Sequence, residues 1–262
     1  MTKTLPEVQL RFPFAADDPH RMMPTEFIGA SLFTALNRSA KPIVYTKMTE
    51  LGRMNGYRIV YKGRVLTQAH ADVWLAIIEI FRRQQQTTAG CSVEFRAGQL
   101  LRMLGKTPNA DRRQSLFEWI TDMVANLVHI HKPGGGPSYF GPMLVGKLDK
   151  LASGEVRYEV LLHPVLCEAF MRGYTGVRWV DRKALGKNEL ALWLHHYLTA
   201  FPRSMRVAEI QQLSGQSGQS DKSFRHRLRA ALELLKEGDL VRAWKIDESG
   251  LLRLRFDKAL PR

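Results

Sequence analysis

The sequence predicts an α+β fold, mainly helical, built from two tandem winged-helix units. Three observations predict it. One order of elements runs twice along the 262 residues: a helix, a short extended piece, a short helix closed by glycine, a polar loop, a capped longer helix and strands. The two closing glycines, Gly105 and Gly215, stand 110 positions apart. The charge balance is strongly basic, with 39 Lys plus Arg against 25 Asp plus Glu and a net charge of +14. A chain this basic calls for a polyanion.

Residues 1–30 read as an irregular arm, since Pro6, Pro13, Pro19 and Pro24 interrupt any long element. Residues 31–175 form the first unit and residues 176–262 the second. In the first, Met54–Leu66 alternates aromatic and β-branched residues between the turn signals Asn55-Gly56 and Lys62-Gly63, which predicts a strand and a small hairpin. Thr67 can cap a helix running to Gln86, whose apolar residues Val73, Trp74, Ile77, Ile78 and Phe81 keep helical spacing. Ser92–Phe95 is extended, and Ala97–Leu104 is a short helix closed by Gly105. Asn109 or Asp111 caps a longer helix with Leu116, Phe117, Ile120, Met123, Val124 and Leu127 on its apolar face. Leu127–His131, a turn at Gly134-Gly-Gly-Pro137 and Tyr139–Leu148 make the expected hairpin, and Glu155–Leu162 alternates as a third stretch.

The second unit repeats the order. Lys187–Ala200 is a helix, Met205-Arg-Val an extended piece, and Ala208–Leu213 a short helix closed by Gly215. Ser220 or Asp221 caps a longer helix that buries Phe224, Leu228, Ala231, Leu232 and Leu235 and ends at Gly238. Val241–Ile246 and Leu251–Phe256 are strands joined across Asp247–Gly250.

Several classes drop out. No apolar run is long enough to span a membrane, and the first ten residues lack a signal-peptide core. Two cysteines, Cys91 and Cys167, make neither a disulfide scaffold nor a four-thiolate zinc site, so both are expected as buried reduced thiols of a cytoplasmic protein. Gly105-Lys-Thr107 mimics the end of a phosphate loop, but the position needed for its first glycine is Leu100. His129 with His131, and His195 with His196, have no neighbouring Cys and no H-E-x-x-H context. No G-x-S-x-G frames a nucleophile. Neither an enzyme nor a cofactor or metal is expected.

A short helix, a tight turn and a longer helix place the longer one in the major groove. In the second unit, burial of Phe224, Leu228, Ala231 and Leu235 leaves Lys222, Arg225, His226 and Arg229 on the opposite side, with Ser223 and Arg227 on the flanks. Arginine suits guanine, whose O6 and N7 accept together from its planar fork, and Lys222 near the helix start suits phosphate. In the first unit Arg112 and Arg113 occupy the first turn, while Glu118 and Asp122 follow on the outward face and repel phosphates. Its DNA contact is then confined to the helix start, or the unit serves another purpose such as dimerisation. Lys132, Lys147 and Lys150 could set a basic hairpin against the backbone, although a hairpin lysine is more often only surface.

Four segments resemble TrfA-type plasmid replication initiators. These are Ala30–Asn37, Thr67-Gln-Ala-His-Ala-Asp-Val-Trp-Leu75, Asp181–Lys187 followed by Leu190–Tyr197, and Phe224–Arg229 with Ala231–Lys236. The resemblance implies tandem winged-helix domains that bind repeated double-stranded sites, called iterons, at a bacterial plasmid origin. It implies origin opening without an ATPase, recruitment of the host initiator and replicative helicase, and copy control through monomer–dimer exchange. Some members carry a sliding-clamp peptide, Q-L-x-L-F. Gln114-Ser-Leu-Phe117 is one residue short of it and falls on a helix's apolar face, where core packing is the better reading. A winged-helix transcription repressor and a nucleic-acid-processing enzyme are the rival readings.

Overall fold

The computed structural model describes residues 19–36, 42–54, 56–84, 92–133, 139–152 and 155–256. It mixes helix and strand, with helix the larger share. The chain opens with β1 (His20–Pro24), α1 (Thr25–Gly29) and β2 (Phe33–Thr34), then β3 (Val44–Met54), β4 (Tyr57–Arg64) and β5 (Leu66–Thr67). Next come α2 (Gln68–Gln84), β6 (Ser92–Arg96), α3 (Ala97–Met103) and α4 (Ala110–Val124). Then follow β7 (Leu127–His131), β8 (Tyr139–Gly141), β9 (Val145–Lys150) and β10 (Val156–Leu161). Between the halves lie α5 (Pro164–Arg172), β11 (Tyr174–Arg178) and α6 (Trp179–Ala184). The last part is α7 (Glu189–Ala200), β12 (Met205–Arg206), α8 (Val207–Leu213), α9 (Asp221–Glu237), β13 (Ala243–Ile246) and β14 (Leu251–Arg255).

The repeated order is matched by a repeated topology. In the first half a three-stranded antiparallel sheet has the order β6-β10-β9; in the second the order is β12-β14-β13. In both, the strand before the short helix pairs with the second strand of a later hairpin. The helix ends agree as well. Gly105 and Gly215 adopt φ of +70° and +76°. Lys106 N donates to Leu101 O and Gln216 N to Gln211 O, while Gly105 N donates to Arg102 O and Gly215 N to Gln212 O. This is the same two-bond cap that glycine permits because it lacks a Cβ. Asn109 Oδ1 accepts from Arg112 N at 2.8 Å to start α4, and Ser220 Oγ accepts from Ser223 N at 3.4 Å to start α9.

Four expectations are corrected. The expected hairpin forms only from Leu127–His131 and Tyr139–Gly141, with Ile130 opposite Tyr139, and it belongs to a separate sheet, β3-β4-β7-β8, where Val128 and Ile130 fill the core beside Ile59 and Tyr61; the hairpin of the three-stranded sheet is β9–β10. Lys132 follows β7 and is not on the β9–β10 hairpin that carries Lys147 and Lys150, and its ammonium lies 3.8 Å from Glu168. Lys62-Gly63 is not a turn but lies within β4, and the real hairpin turns at Gly56 (φ +79°), with β3 starting at Val44. Phe117 is exposed and not core, whereas Leu116, Ile120 and Met123 are buried.

The described part of the N-terminal arm is ordered. β1 pairs antiparallel with β11, His20 opposite Arg178 and Pro24 opposite Tyr174. The boundary drawn at 175/176 thus falls inside a strand, and one continuous hydrophobic cluster takes side chains from both halves. Residues 1–18, Cys91 and the turn at Gly134–Pro137 lie outside the described residues, while Cys167 is buried. Among the described residues no helix is long and apolar enough to cross a membrane, and no cluster of His, Cys, Asp or Glu could hold a metal.

Candidate nucleic-acid interface

Helix α9 has a sharply divided surface. Phe224, Leu228, Ala231, Leu232 and Leu235 are fully buried. Their spacing keeps them on one side of a 3.6-residue helix, so the polar side chains between them face away from the core. Lys222, Ser223, His226 and Arg229 are exposed, and Arg225 and Arg227 are partly buried. The structure therefore sets Lys222, His226 and Arg229 on an outward stripe, with Arg225 at its edge and Ser223 at the N-terminal end.

Arg225 is partly covered because it leans on the β13–β14 turn. A Cβ added to Gly250 would come within 3.2 Å of its Nη2. Gly250 is further fixed by its φ of +76° and by Val207 N, which donates to its carbonyl at 2.9 Å. The second half thus joins the edge of the α9 stripe to its hairpin.

Charge compensation sets this surface apart from much of the molecule. Several arginines elsewhere are paired: Arg21, Arg82 and Arg83 converge on Glu79, Arg172 meets Glu26, and Arg203 meets Glu209. Among the described residues none of Lys222, Arg225, His226, Arg227 and Arg229 takes part in an ion pair. Asp221 and Glu233 stand on the same helix without closing an ion pair to them. Cations not committed to a carboxylate are the arrangement a phosphate backbone rewards, because binding releases counterions at little internal cost.

The corresponding helix of the first half differs. Arg112 and Arg113 are exposed in the first turn of α4. Glu118 accepts from Gln114 Nε2 at 3.0 Å. Asp122 does not face solvent freely: its Oδ2 is 3.1 Å from both His70 Nε2 and Arg64 Nη1. The two arginines and the α9 residues lie on different helices, one in each half.

Nothing in the helical periodicity marks Arg206, Lys245, Arg253 and Arg255, yet all four are exposed on the face of the β12-β14-β13 sheet turned from the core. The alternation Leu252-Arg-Leu-Arg255, with Leu252 buried, is the signal that places two of them. The buried histidines have structural surroundings. His195 and His196 both lie in the core of α7, where burial and the Arg182 guanidinium hold their imidazoles neutral, His195 down to about 3.

No protein-family model and no curated protein sequence matches the chain. Solved structures do. The chain is similar in fold to domains 2 and 3 of RctB, a replication initiator of the Vibrio chromosome II, in a selenomethionine-derivative crystal structure. The TM-score is 0.60 at 15% identity, covering 88% of this chain and 98% of that one. A second crystal structure of RctB domains 2-3 matches with a TM-score of 0.47 at 12% identity, over 83% of this chain and 92% of that one. The chain has the α+β architecture of those two domains.

Proposed function

We propose that each half is a winged-helix unit and that the chain is a sequence-specific DNA-binding replication initiator. α9 is the main reading helix, with Arg225 and Arg229 on base edges and Lys222, Ser223 and His226 on base edges or phosphates. Arg112 and Arg113 add a weaker contact from α4. The observation that carries this reading is the uncompensated basic face of α9 on a helix whose other side is entirely core. The likeness in fold to domains of a replication initiator supports initiation over other uses of such a face.

The finer reading follows the resemblance to TrfA-type proteins. The duplex sites are repeated iterons at a plasmid origin in the bacterial cytoplasm. Origin opening then proceeds through binding, without catalysis or a cofactor supplied by this chain, and the host initiator and helicase are recruited to the complex. Monomer–dimer exchange sets copy number, with the first unit as the candidate for pairing. The sliding-clamp peptide is absent in its full form.

Selection of bound duplexes from a random library tests the proposal. An enriched motif that recurs in tandem in a plasmid origin and supports replication there is the expected outcome. Recovery without any preferred sequence would overturn it, leaving only charge-driven binding.

A further inference from the structure

The two three-stranded sheets share one topology and differ in charge. In the first-half sheet, Arg157 lies 3.1 Å from Asp149 and 3.6 Å from Glu94, Lys147 lies 3.4 Å from Asp149, and Arg96 lies 3.3 Å from Glu155. Every outward cation there has a carboxylate.

In the second-half sheet the outward positions carry Arg206, Lys245, Arg253 and Arg255. Asp247 takes Arg253 at 3.2 Å, and Glu248 stands exposed on the turn. Among the described residues Arg206, Lys245 and Arg255 have no acidic partner. Moreover, Lys245 sits directly opposite Arg253 in the antiparallel register. Like charges in that position repel and destabilise a sheet. The first-half sheet also sets two cations opposite each other, Arg157 and Arg96, but there each has a carboxylate, whereas of Lys245 and Arg253 only Arg253 does.

We infer that this sheet face is a second phosphate-contacting surface, continuous with the α9 face and reading no bases. Continuity comes from the hairpin turn. Arg206 pairs with Leu251, the next residue of the strand is Val207's partner Gly250, and Arg225 rests against that glycine. A duplex seated on α9 has cationic surface leading from Arg225 past Gly250 to Arg206 and the sheet. The inference rests on the DNA-binding reading above and adds where the backbone is held.

The test uses the full chain, a duplex of fixed arbitrary sequence and salt titration. Because backbone contacts are sequence-independent, this probe works whatever α9 reads. Lys245→Thr with Arg255→Thr should lower the slope of log affinity against log salt by about 2. The melting temperature should hold or rise, since the repulsion is relieved. Lys245→Arg with Arg255→Lys should keep the wild-type slope. A folded threonine variant with unchanged slope and affinity overturns the inference. So does an unchanged slope accompanied by loss of binding to polyglutamate, which would assign the face to an acidic protein segment. If instead Arg225→Ala with Arg229→Ala leaves base preference intact, the α9 reading fails while the salt-slope result stands on its own.

Discussion

Arg182 and Asp72 meet in the core between the two halves, Nε to Oδ1 at 2.7 Å, with the arginine only 1% exposed. The same guanidinium donates to Leu192 O at 2.9 Å and to Gln68 Oε1 at 3.0 Å. Gln68 in turn donates to Phe33 O, and the neighbouring Ala35 both donates to Ser214 O and accepts from Gln216 Nε2. A chain of hydrogen bonds thus runs from α2 through α6 and β2 to the turn that orients α9.

Removing the cation leaves the Asp72 carboxylate, only 19% exposed, without its partner, and deprives Leu192 O and Gln68 Oε1 of a donor. Arg182→Met should cost about 3 kcal/mol or more in unfolding by urea. DNA affinity should fall with it, because the turn before α9 loses its support. A stability within about 0.5 kcal/mol of wild type, the range of ordinary surface substitutions, would show that the network is not structural.

The two helix-closing glycines separate backbone from packing. Both have positive φ, so alanine at either costs about 1–2 kcal/mol from the left-handed conformation alone. At Gly105 the added Cβ meets only Lys183 Cδ at 3.4 Å, the flexible part of a side chain. At Gly215 it lands 2.8 Å from Thr34 Cγ2 in a buried contact. Gly215→Ala should therefore be the more destabilising of the two, measured by thermal melts. Equal losses would mean that the 33–35 segment yields freely.

Local signals carried much of the fold. The caps at Asn109 and Ser220, the closing glycines and the apolar face of α9 are short-range features that a single segment encodes. Pairing partners are not. Val128 and Ile130 alternate as any half-buried strand does, and only the tertiary position of Tyr61 and Ile59 decides that β7 joins β4. β1 was hidden because Pro19 and Pro24 bracket it, though an edge strand tolerates proline at its ends. α5, β11 and α6 are only 9, 5 and 6 residues long, too short for a period to separate helix from strand. At the candidate site, the α9 stripe was legible from helical geometry, whereas the sheet cations were not, because their company depends on register.

Arg229 and Arg225 should behave differently. Arg229 is exposed without an ion pair, so Arg229→Ala should reduce discrimination at one base position by roughly 1–3 kcal/mol. Its unfolding free energy should stay within about 0.5 kcal/mol of wild type. Arg225 rests on Gly250, so its alanine variant should lose binding and also loosen the hairpin, seen as faster amide exchange in β13 and β14. Arg112→Ala with Arg113→Ala should weaken binding uniformly across sequences. A change in preferred sequence there would give α4 a reading role.

The buried histidines predict how stability depends on pH. His195 and His196 are held neutral in the fold by burial first and by the Arg182 charge second, His195 down to about 3. In the unfolded chain each protonates near its ordinary value, about 6.5. Below that value the unfolded state binds protons that the folded state refuses, so stability falls as pH drops from about 6.5 toward 3. Each histidine should contribute about 1.4 kcal/mol per pH unit once well below 6.5. Asp149 and Asp247, held below the usual carboxylate range chiefly by hydrogen bonds from Arg157 and Ser249, and Glu79, where burial pushes the carboxyl up but the hydrogen bonds and charges of Arg82, Arg21 and Arg83 outweigh it, add further losses at lower pH. His195→Phe keeps an aromatic ring in place and removes one titrating group whose Nδ1 has no hydrogen-bond partner. Between pH 6 and 5 its denaturation midpoint should fall less steeply than that of the wild type. An identical pH dependence in the two proteins would mean that His195 titrates alike in both states, contrary to its burial in α7.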